Sequence, residues 1–257
     1  MKIAFVTLSS EGAELFKKFK ISFPQADYFL HEKIESSFEC ARFSGLITFV
    51  RENFLKYEGF VFIAPAGAVV RALDGNMVDK KTDPAVVQVD IGGRWAVSLL
   101  SGHEGGANRL AVDVANAIGA EPVISTSTEA VKKIIVGVGC KRGKRAEEIV
   151  AAIELALAEA DLDLEEVRYL ASVDIKSDEV GLLEAAHLLD LPLRFIPSED
   201  IRNSKLDFER SEFVQKKVNL PAVAEPVALL AGRRTSLLLK RRKYEGITVA
   251  IATENSL

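Results

Sequence analysis

Short apolar runs alternate along this chain with segments whose apolar residues recur at helical spacing. Residues 3–8 are apolar at nearly every position, as expected for a strand that is covered on both faces, and Ser10 with Glu14 supplies a start for a helix. Residues 46–55 carry apolar side chains at helical spacing until Gly59 ends the pattern. The same alternation continues into the second half. It predicts the α/β fold class, with two consecutive small α/β domains and mostly parallel sheets.

The polar segment 125–132 divides the chain into two halves. A fresh apolar run follows it, so we place the boundary near Thr128 and predict domains over residues 1–128 and 129–257. The first domain is expected to contain strands at 26–30, 60–64 and 122–124, a helix at 108–118, and a hairpin of strands 86–89 and 95–99 at a sheet edge. The second is expected to contain strands at 133–137, 169–171, 193–196, 236–239 and 247–251, helices at 146–160, 178–189 and 212–218, and a basic turn at 240–243.

Composition and charge exclude several classes of protein. Charged residues make up 27% of the 257 residues and the formal net charge is -4, whereas a nucleic-acid binder is usually basic. Cys40 and Cys140 lie far apart and match no zinc spacing, which favours a reducing cytoplasm and predicts no protein metal site. The apolar run at the amino end is too short for a signal-peptide core, and no stretch approaches the roughly 20 apolar residues of a membrane-spanning helix. We therefore expect a cytoplasmic protein that binds neither nucleic acid nor membrane.

The most unusual local sequence is residues 100–108, between a predicted strand and a predicted helix. Its glycines permit close approach of the backbone to a ligand, and the helix N-terminus offers N–H donors to an anion. A histidine exchanges protons near neutral pH, so His103 is a candidate to activate water, with Glu104 or a more distant carboxylate to orient it. In the alternative interpretation the glycines only form a tight turn and His103 satisfies backbone groups.

Two lysines lie just before the predicted strand at 86–89. Lys80 and Lys81 are candidates to receive a ligand carboxylate. The favoured interpretation is a purely structural turn, in which Asp83 or Thr82 bonds back into the loop. Asp90 stands at the other end of that strand and is a further candidate carboxylate for catalysis.

Small residues also follow the predicted strand at 60–64. Gly67 would allow close backbone approach, and Arg71 is suited to a two-pronged contact with a carboxylate. A lone arginine beside a helix is more often solvated, so both interpretations stay open.

Residues 136–145 join the first strand of the second half to an alanine-rich helix. Their three glycines, among them Gly139, are spaced one residue too far for a dinucleotide-binding loop, which argues against a nicotinamide site. Lys141, Arg142 and their basic neighbours place positive charge at the N-terminus of this helix, where the helix dipole is also positive. A bound anion would reduce the resulting repulsion. Cys140 has no evident general base nearby and is interpreted as a buried, inert thiol.

Residues 170–179 leave a predicted strand and enter a capped helix. Asp174 and Lys176 either form an ion pair with each other or line the crevice at the carboxyl end of the strand. Glu225 precedes a proline that suits the first position of a short helix, and we interpret it as structural.

Across nearly the whole chain these segments resemble the CbiG family, both in their order and in their amino-acid sequences. The resemblance rests in the first half on residues 62–71, 79–87 and 98–108, and in the second half on residues 138–143, 171–184 and 224–226. The chain departs from the family pattern in lacking the extra segment that many relatives carry between the halves, and in having Arg145 where relatives tend to have a small hydroxyl residue. The amino-terminal end matches least distinctively.

The resemblance implies hydrolysis of cobalt-precorrin 5A, a lactone intermediate of anaerobic cobalamin (vitamin B12) biosynthesis, to cobalt-precorrin 5B with loss of acetaldehyde. Lactone opening needs an activated water and an oxyanion stabiliser, and a multiply carboxylated macrocycle needs spaced cations. The cobalt would arrive inside the substrate, so no cofactor is expected. The expected catalytic residues are His103, Glu104, Asp83 and Asp90. The expected substrate-binding residues are Gly67, Arg71, Lys80, Lys81, Thr82, Ser101, Gly102, Gly105, Gly106, Asn108, Gly139, Lys141, Arg142, Asp174 and Lys176.

Two other functions stay open at the level of sequence. One is a non-catalytic tetrapyrrole-binding carrier or partner protein of the same pathway. The other is a nucleotide-dependent oxidoreductase, which the alternating pattern suggests but the glycine spacing disfavours. The expected partners are the cobalt-containing tetrapyrrole and water, and a homodimer or contacts with other corrin-pathway enzymes are further hypotheses.

Overall fold

The computed structural model describes residues 1–206, 208, 220 and 222–255. The chain divides into two compact units, Met1–Thr126 and Ser127–Leu257. In the described part of the chain each unit consists of one β-sheet with helices packed against it, which confirms the α/β fold class. The helix predicted at residues 212–218 lies outside the described residues. No helix of the described residues is long and apolar enough to cross a membrane.

The first unit, all of which is described, contains a seven-stranded sheet. Its strands are β1 (Ile3–Thr7), β2 (Asp27–His31), β3 (Ala41–Phe43), β4 (Gly59–Ile63), β5 (Ala85–Val89), β6 (Trp95–Leu100) and β7 (Glu121–Val123), and its helices are α1 (Ser10–Ser22), α2 (Leu46–Asn53), α3 (Ala66–Leu73) and α4 (Ala107–Ile118). The strand order is β3-β2-β1-β4-β5-β6-β7, and every neighbouring pair is parallel except β5 and β6.

Helices cover both faces of this sheet, which is why β1 and β4 are apolar at nearly every position. On one face Phe5 and Val61 pack with α1 and α4, and on the other Val6 and Phe60 pack with α2 and α3. A strand that is buried on both faces needs apolar side chains at consecutive positions rather than at alternate ones.

The structure corrects three details of the first unit. The β5–β6 hairpin does not form the sheet edge, because β7 pairs with β6 outside it. Helix α1 is capped by Ser9, whose hydroxyl accepts the Gly12 N–H at 3.1 Å, rather than by Ser10. Strand β3 was not predicted, because a strand of three residues with two exposed side chains leaves no apolar periodicity.

The described part of the second unit contains a five-stranded sheet. Its strands are β8 (Ile134–Cys140), β9 (Val167–Val173), β10 (Leu193–Ile196), β11 (Thr235–Tyr244) and β12 (Ile247–Glu254), and its α-helices are α5 (Ser127–Ala130), α6 (Ala146–Glu159), α7 (Val180–Leu188), α8 (Ser198–Asn203) and α9 (Ala224–Leu230). Short 3-10 helices cover Leu164–Glu166 and Asp174–Lys176.

Parallel pairing dominates the first sheet but not the second. In the order β10-β9-β8-β12-β11, the pairs among β8, β9 and β10 are parallel, whereas β12 runs antiparallel to both β8 and β11. The basic residues 240–243 were predicted as a turn, but they belong to β11, and the chain reverses at Glu245 and Gly246, both of which have positive φ. Strands joined by so short a connection are necessarily antiparallel.

Candidate functional site

The residues expected to act in catalysis or binding fall into separate groups in the two units. In the first unit the central feature is the His103 turn, residues 101–106, between β6 and α4. Because β6 runs antiparallel to β5, with Leu100 opposite Val86, the turn lies at the end of the sheet where β5 begins. The amino end of β5 is preceded by the lysine loop, residues 78–84.

The glycines of the His103 turn make room for the protein's own atoms. A Cβ on Gly102 would lie 2.5 Å from Thr126 Cγ2, and a Cβ on Gly105 would lie 2.4 Å from Ser101 Cβ. Two hydrogen bonds close the turn, from the Ala107 N–H to the Ser101 carbonyl and from the Asn108 N–H to the Gly102 carbonyl. The tight-turn interpretation therefore holds for these glycines.

His103 itself is exposed, and its ring makes no hydrogen bond with any described residue. The alternative in which it satisfies backbone groups is therefore wrong. Ser101, in contrast, is buried with a φ of 56°, and its hydroxyl has no hydrogen-bond partner among the described residues. A non-glycine residue at positive φ is held there by the surrounding turn.

Asn108 contributes to the packing beneath the turn. Its side-chain oxygen accepts a hydrogen bond from the Ser98 hydroxyl at 2.8 Å, and its amide donates to the Thr126 hydroxyl at 2.9 Å. Because both groups of the buried amide are bonded inside the protein, Asn108 fixes the start of α4.

An ion pair joins the His103 turn to the lysine loop. Lys80 Nζ lies 2.7 Å from Glu104 Oε1, and this contact lowers the pKa of Glu104 and raises the pKa of Lys80. Glu104 thus pairs with Lys80 and makes no hydrogen bond with His103. Lys81 and Thr82 are exposed in the same loop.

Asp83 holds the lysine loop in shape. Its side chain is 5% exposed, and both of its oxygens accept the Val78 N–H, at 3.1 and 3.0 Å. A buried carboxylate that is bonded to its own loop stabilises that loop, which agrees with the structural interpretation of the sequence.

Three other expected residues lie at the opposite end of the first sheet. Asp90 directly follows β5, and its side chain accepts hydrogen bonds from the N–H groups of Gly92, Arg94 and Trp95. The guanidinium of Arg71 donates a hydrogen bond to the carbonyl of Gly67 at 3.0 Å. Asp90 is therefore the organiser of the hairpin turn and cannot act together with His103. The predicted hairpin of β5 and β6 already implied this separation, because the two strands of a hairpin are antiparallel.

The second unit contains a cavity of about 1010 Å³. We call it the second-unit cavity. Its apolar lining residues are Val173, Ile175, Ala222, Val223, Ala224 and Ile247. Its basic lining residues are Lys141, Arg142, Lys176, Arg241 and Lys243. A cavity of this size with apolar walls and several cations suits a large ligand with an apolar body and anionic substituents.

Part of this charge is already paired within the unit. Arg142 Nη1 contacts both carboxylate oxygens of Asp178, at 2.9 and 3.0 Å, and Lys176 Nζ lies 2.9 Å from Glu179 Oε2. Lys141 and Lys243 make no ion pair with a described residue. The uncompensated positive charge that a ligand would meet therefore includes these two lysines.

Asp174 was expected either to line the crevice after β9 or to pair with Lys176, but it does not line the cavity. Its oxygens accept the Ile175 N–H at 2.8 Å and the Ser198 hydroxyl at 3.2 Å, so it shapes the turn after β9. The ion pair considered between Asp174 and Lys176 is absent, because Lys176 pairs with Glu179.

Gly139 and Cys140 also line the cavity. A Cβ on Gly139 would lie 3.2 Å from the Cβ of Val223, so the glycine allows the segment before α9 to approach β8. Burial raises the pKa of the Cys140 thiol, which opposes a role as nucleophile and agrees with the interpretation of an inert thiol.

The cavity is also lined by Arg241, Lys243 and Glu225, none of which was expected from the sequence to bind a ligand. The cluster of basic residues was visible, but it was assigned to a turn. The signal that identifies a strand here is the apolar residue on either side, Leu239 and Tyr244, both of which pack on the core beneath α6.

The fold and the cavity define a class of protein: a two-unit α/β protein whose second unit is suited to a large amphipathic anion. Within that class, the chain belongs to the CbiG family of cobalamin synthesis proteins. The family model described as cobalamin synthesis G N-terminal matches residues 48–129, and the model described as cobalamin synthesis G C-terminus matches residues 134–252.

Individual relatives match over nearly the full chain. The chain is 25% identical to a cobalt-precorrin-5A hydrolase of Priestia megaterium, covering 97% of this chain and 94% of that protein. It is 24% identical to a cobalt-precorrin-5A hydrolase of Salmonella typhimurium, covering 97% of each. Among solved structures, that of CobE, a protein from the cobalamin biosynthetic pathway, has 32% sequence identity and a TM-score of 0.44 over 48% of this chain and 90% of that one.

Proposed function

We propose that this protein is a cobalt-precorrin-5A hydrolase of cobalamin biosynthesis. The proposed reaction opens the lactone of cobalt-precorrin 5A and releases acetaldehyde to give cobalt-precorrin 5B. The similarity to two hydrolases of that name along 97% of the chain supports the enzyme class. The observation that carries the proposal in the structure is the second-unit cavity, whose chemistry matches the substrate. We expect the reaction to take place in the cytoplasm.

The second-unit cavity would hold the macrocycle through two kinds of contact. The apolar face of the ring would pack on side chains such as Val173 and Val223, and the peripheral carboxylates would reach the cations Lys141 and Arg142. Charge-assisted hydrogen bonds to carboxylates are among the stronger polar contacts in proteins, so a few of them can fix the orientation of a large ring.

The chemistry needs a proton acceptor and a stabilised oxyanion. Water adds to the lactone carbonyl as its proton leaves, and the tetrahedral oxyanion collapses with cleavage of the ester carbon–oxygen bond, giving a carboxylate and a hydroxyl group. Loss of the hydroxyl proton then allows the carbon–carbon bond to break. The oxygen of that hydroxyl group becomes the carbonyl oxygen of acetaldehyde. The electron pair of the broken carbon–carbon bond passes to the macrocycle.

His103 is the candidate for the first proton transfer. Its ring is exposed and makes no hydrogen bond with a described residue, so both nitrogens are open to water and ligand. Asp83 and Asp90 are both committed to backbone N–H groups, and Glu104 is paired with Lys80, so they are weaker candidates. The cobalt belongs to the substrate in this proposal.

The second candidate function is a carrier that binds the intermediate without turnover. It is favoured by one observation, that every described residue lining the cavity belongs to the second unit, whereas His103 belongs to the first. A cavity of this kind could bind the macrocycle without any contribution from His103.

One experiment separates the two functions. The purified protein is incubated with cobalt-precorrin 5A under anaerobic conditions, and released acetaldehyde is trapped and quantified against a sample without protein. The hydrolase proposal predicts acetaldehyde in proportion to consumed substrate over repeated turnovers. Tight binding of the lactone without acetaldehyde would instead establish the carrier.

A further inference from the structure

Strand β11 contains an irregularity beside the second-unit cavity. Leu239 pairs with Ile251 and Arg242 pairs with Val249, so Lys240 and Arg241 together oppose the single residue between those partners on β12. This is a β-bulge, in which one strand carries an extra residue. A bulge changes the face on which the following side chains lie.

The bulge sorts the basic residues of β11 onto two faces. Leu239 and Tyr244 belong to the core beneath α6, and Arg242 Nη2 lies 2.6 Å from Glu159 Oε1 on that same helix. Arg241 and Lys243 line the second-unit cavity. In an unbulged strand residues 241 and 243 would share the face of Leu239 and point into the core, because side chains alternate with a period of two.

A buried carboxylate stabilises the bulge. Glu225 is 1% exposed, and its Oε1 accepts the N–H of Arg241 at 3.0 Å. A bulge withdraws a backbone N–H from the ladder, and an unpaired buried N–H is costly, so this bond supports the irregular conformation. Glu225 thus lines the cavity and also supports the backbone of β11 beside it.

Lys243 faces the cavity. The side chain is exposed and makes no ion pair with a described residue. The stem of Lys141 passes close to the β11–β12 turn, where a Cβ on Gly246 would lie 3.0 Å from its Cδ. Two lysines that form no ion pair with a described residue thus lie beside one end of β11.

We infer that the bulge in β11 is a recognition device for the carboxylates of the macrocycle, in which Lys243 binds a peripheral carboxylate and Glu225 is the positioning residue that holds the bulge. The inference deepens the proposed function, because it takes the ligand class from that proposal. It adds Lys243 as a specificity-determining residue. It also gives Glu225, at the start of α9, the further role of holding the bulge in β11.

The test uses cobyrinic acid, a stable cobalt corrinoid with free peripheral carboxylates, and its fully methyl-esterified derivative. Binding to the full chain is measured by calorimetry at low salt. Lys243→Gln should weaken cobyrinic acid binding by about 10-fold, the size of one partly desolvated charge-assisted hydrogen bond. The ester should bind the parent and this variant equally, because it has no carboxylate for Lys243 to bind.

Lys240→Gln is the matched control. Lys240 is a neighbouring exposed lysine that does not line the cavity, so this variant removes the same charge from the same strand. Equal effects of the two variants on cobyrinic acid would overturn the inference, because a general loss of positive charge would then explain both. Absence of cobyrinic acid binding to the parent would also overturn it.

The role of Glu225 is tested by a double-mutant cycle. Glu225→Ala should weaken cobyrinic acid binding, and adding Lys243→Gln to it should cause little further loss, because the lysine is then no longer held in place. Glu225→Gln keeps an acceptor for the Arg241 N–H and should restore binding. Additive losses, or failure of Glu225→Gln to restore binding in a folded protein, would disprove the positioning role.

The binding tests of this inference can fail independently of the acetaldehyde test of the proposed function. A protein that binds cobyrinic acid through Lys243 but releases no acetaldehyde keeps the inference and loses the hydrolase. Acetaldehyde release that is insensitive to Lys243→Gln, with unchanged corrinoid binding, keeps the hydrolase and loses the inference.

Discussion

His103 and Asp83 lie near the same end of the first sheet, and their environments assign them different roles. His103 is exposed and has no hydrogen bond with a described residue, whereas Asp83 is buried with both oxygens bonded to the Val78 N–H. A group that exchanges protons with a ligand must be reachable, and a group that holds a loop must be bonded. The exposure of His103 and the bonding of Asp83 therefore favour His103 as the catalytic candidate.

His103→Asn should fold normally and lose turnover. Asparagine keeps polarity at an exposed position, so the melting temperature should stay near that of the parent, but it cannot accept a proton from water. Loss of a general base typically lowers the rate by about 10²–10⁴-fold. The measurements are thermal unfolding and acetaldehyde release at saturating cobalt-precorrin 5A.

His187→Asn is the control for this prediction. His187 is an exposed histidine on α7 in the second unit, and it does not line the second-unit cavity. Its loss should leave both measurements unchanged. If His103→Asn retains more than about a third of the parental turnover, far less loss than a general base produces, the catalytic assignment is wrong.

At the scale of elements, the β5–β6 hairpin depends on Asp90. Burial by itself would raise the pKa of Asp90, but the N–H groups of Trp95 and Arg94 and the Arg94 guanidinium outweigh it and lower the pKa. A carboxyl whose pKa is lower in the folded state contributes stability above its unfolded pKa. That stability is lost as the pH falls through the folded pKa.

Asp90→Asn should therefore reduce the acid sensitivity of the first unit. At neutral pH the variant should be less stable by about 1 kcal/mol, because the charge-assisted bonds are lost. As the pH falls below about 4, the difference from the parent should shrink, since protonation removes the same charge from the parent. Denaturant unfolding followed by Trp95 fluorescence at a series of pH values measures both effects.

The matched control is Asp74→Asn. Asp74 is an exposed residue just after α3, and its side chain accepts no hydrogen bond from a described residue. It should leave the pH dependence of unfolding unchanged. A parent and an Asp90→Asn variant that differ by the same amount at every pH would show that Asp90 contributes nothing as a charged group.

At the scale of the whole molecule, each unit has a core of its own. In the second unit, α9 approaches β8 so closely that a Cβ on Gly137 would lie 2.0 Å from the Ala224 carbonyl oxygen. No side chain fits there without moving the helix that carries Glu225. Gly137 therefore sets the spacing between β8 and α9.

Gly137→Ala should destabilise the second unit selectively. Overpacking of this kind typically costs about 1–3 kcal/mol. Trp95, the single tryptophan, lies in the first unit, so its fluorescence reports that unit, and hydrogen exchange of peptides from β8 and β12 reports the second. Exchange from β8 and β12 should accelerate while the Trp95 transition stays in place.

Gly45→Ala serves as the control, because a Cβ there has nothing within 4 Å and the φ of -155° suits any residue. It should affect neither signal. Equal shifts of both signals in Gly137→Ala would mean that the two units unfold as one.

The sequence by itself determined the fold class and the positions of most elements. Continuous apolar runs such as residues 3–8 and helical stripes such as residues 108–118 are local patterns, and each needs only its own side chains to be recognised. The basic cluster at Lys141 and Arg142 was equally visible, and the structure gives it a place in a cavity. Local periodicity thus carries the information on which elements form.

Only the tertiary structure decided which polar residues face the same space. Asn108 and Thr126 are separated in sequence, and their side chains meet beneath the His103 turn because β7 pairs with β6 outside the predicted hairpin. Arg241 and Lys243 face the cavity because a bulge against β12 reverses the expected faces of β11. Both outcomes depend on how distant strands pair, and a pairing between strands leaves no periodic signal in either strand alone.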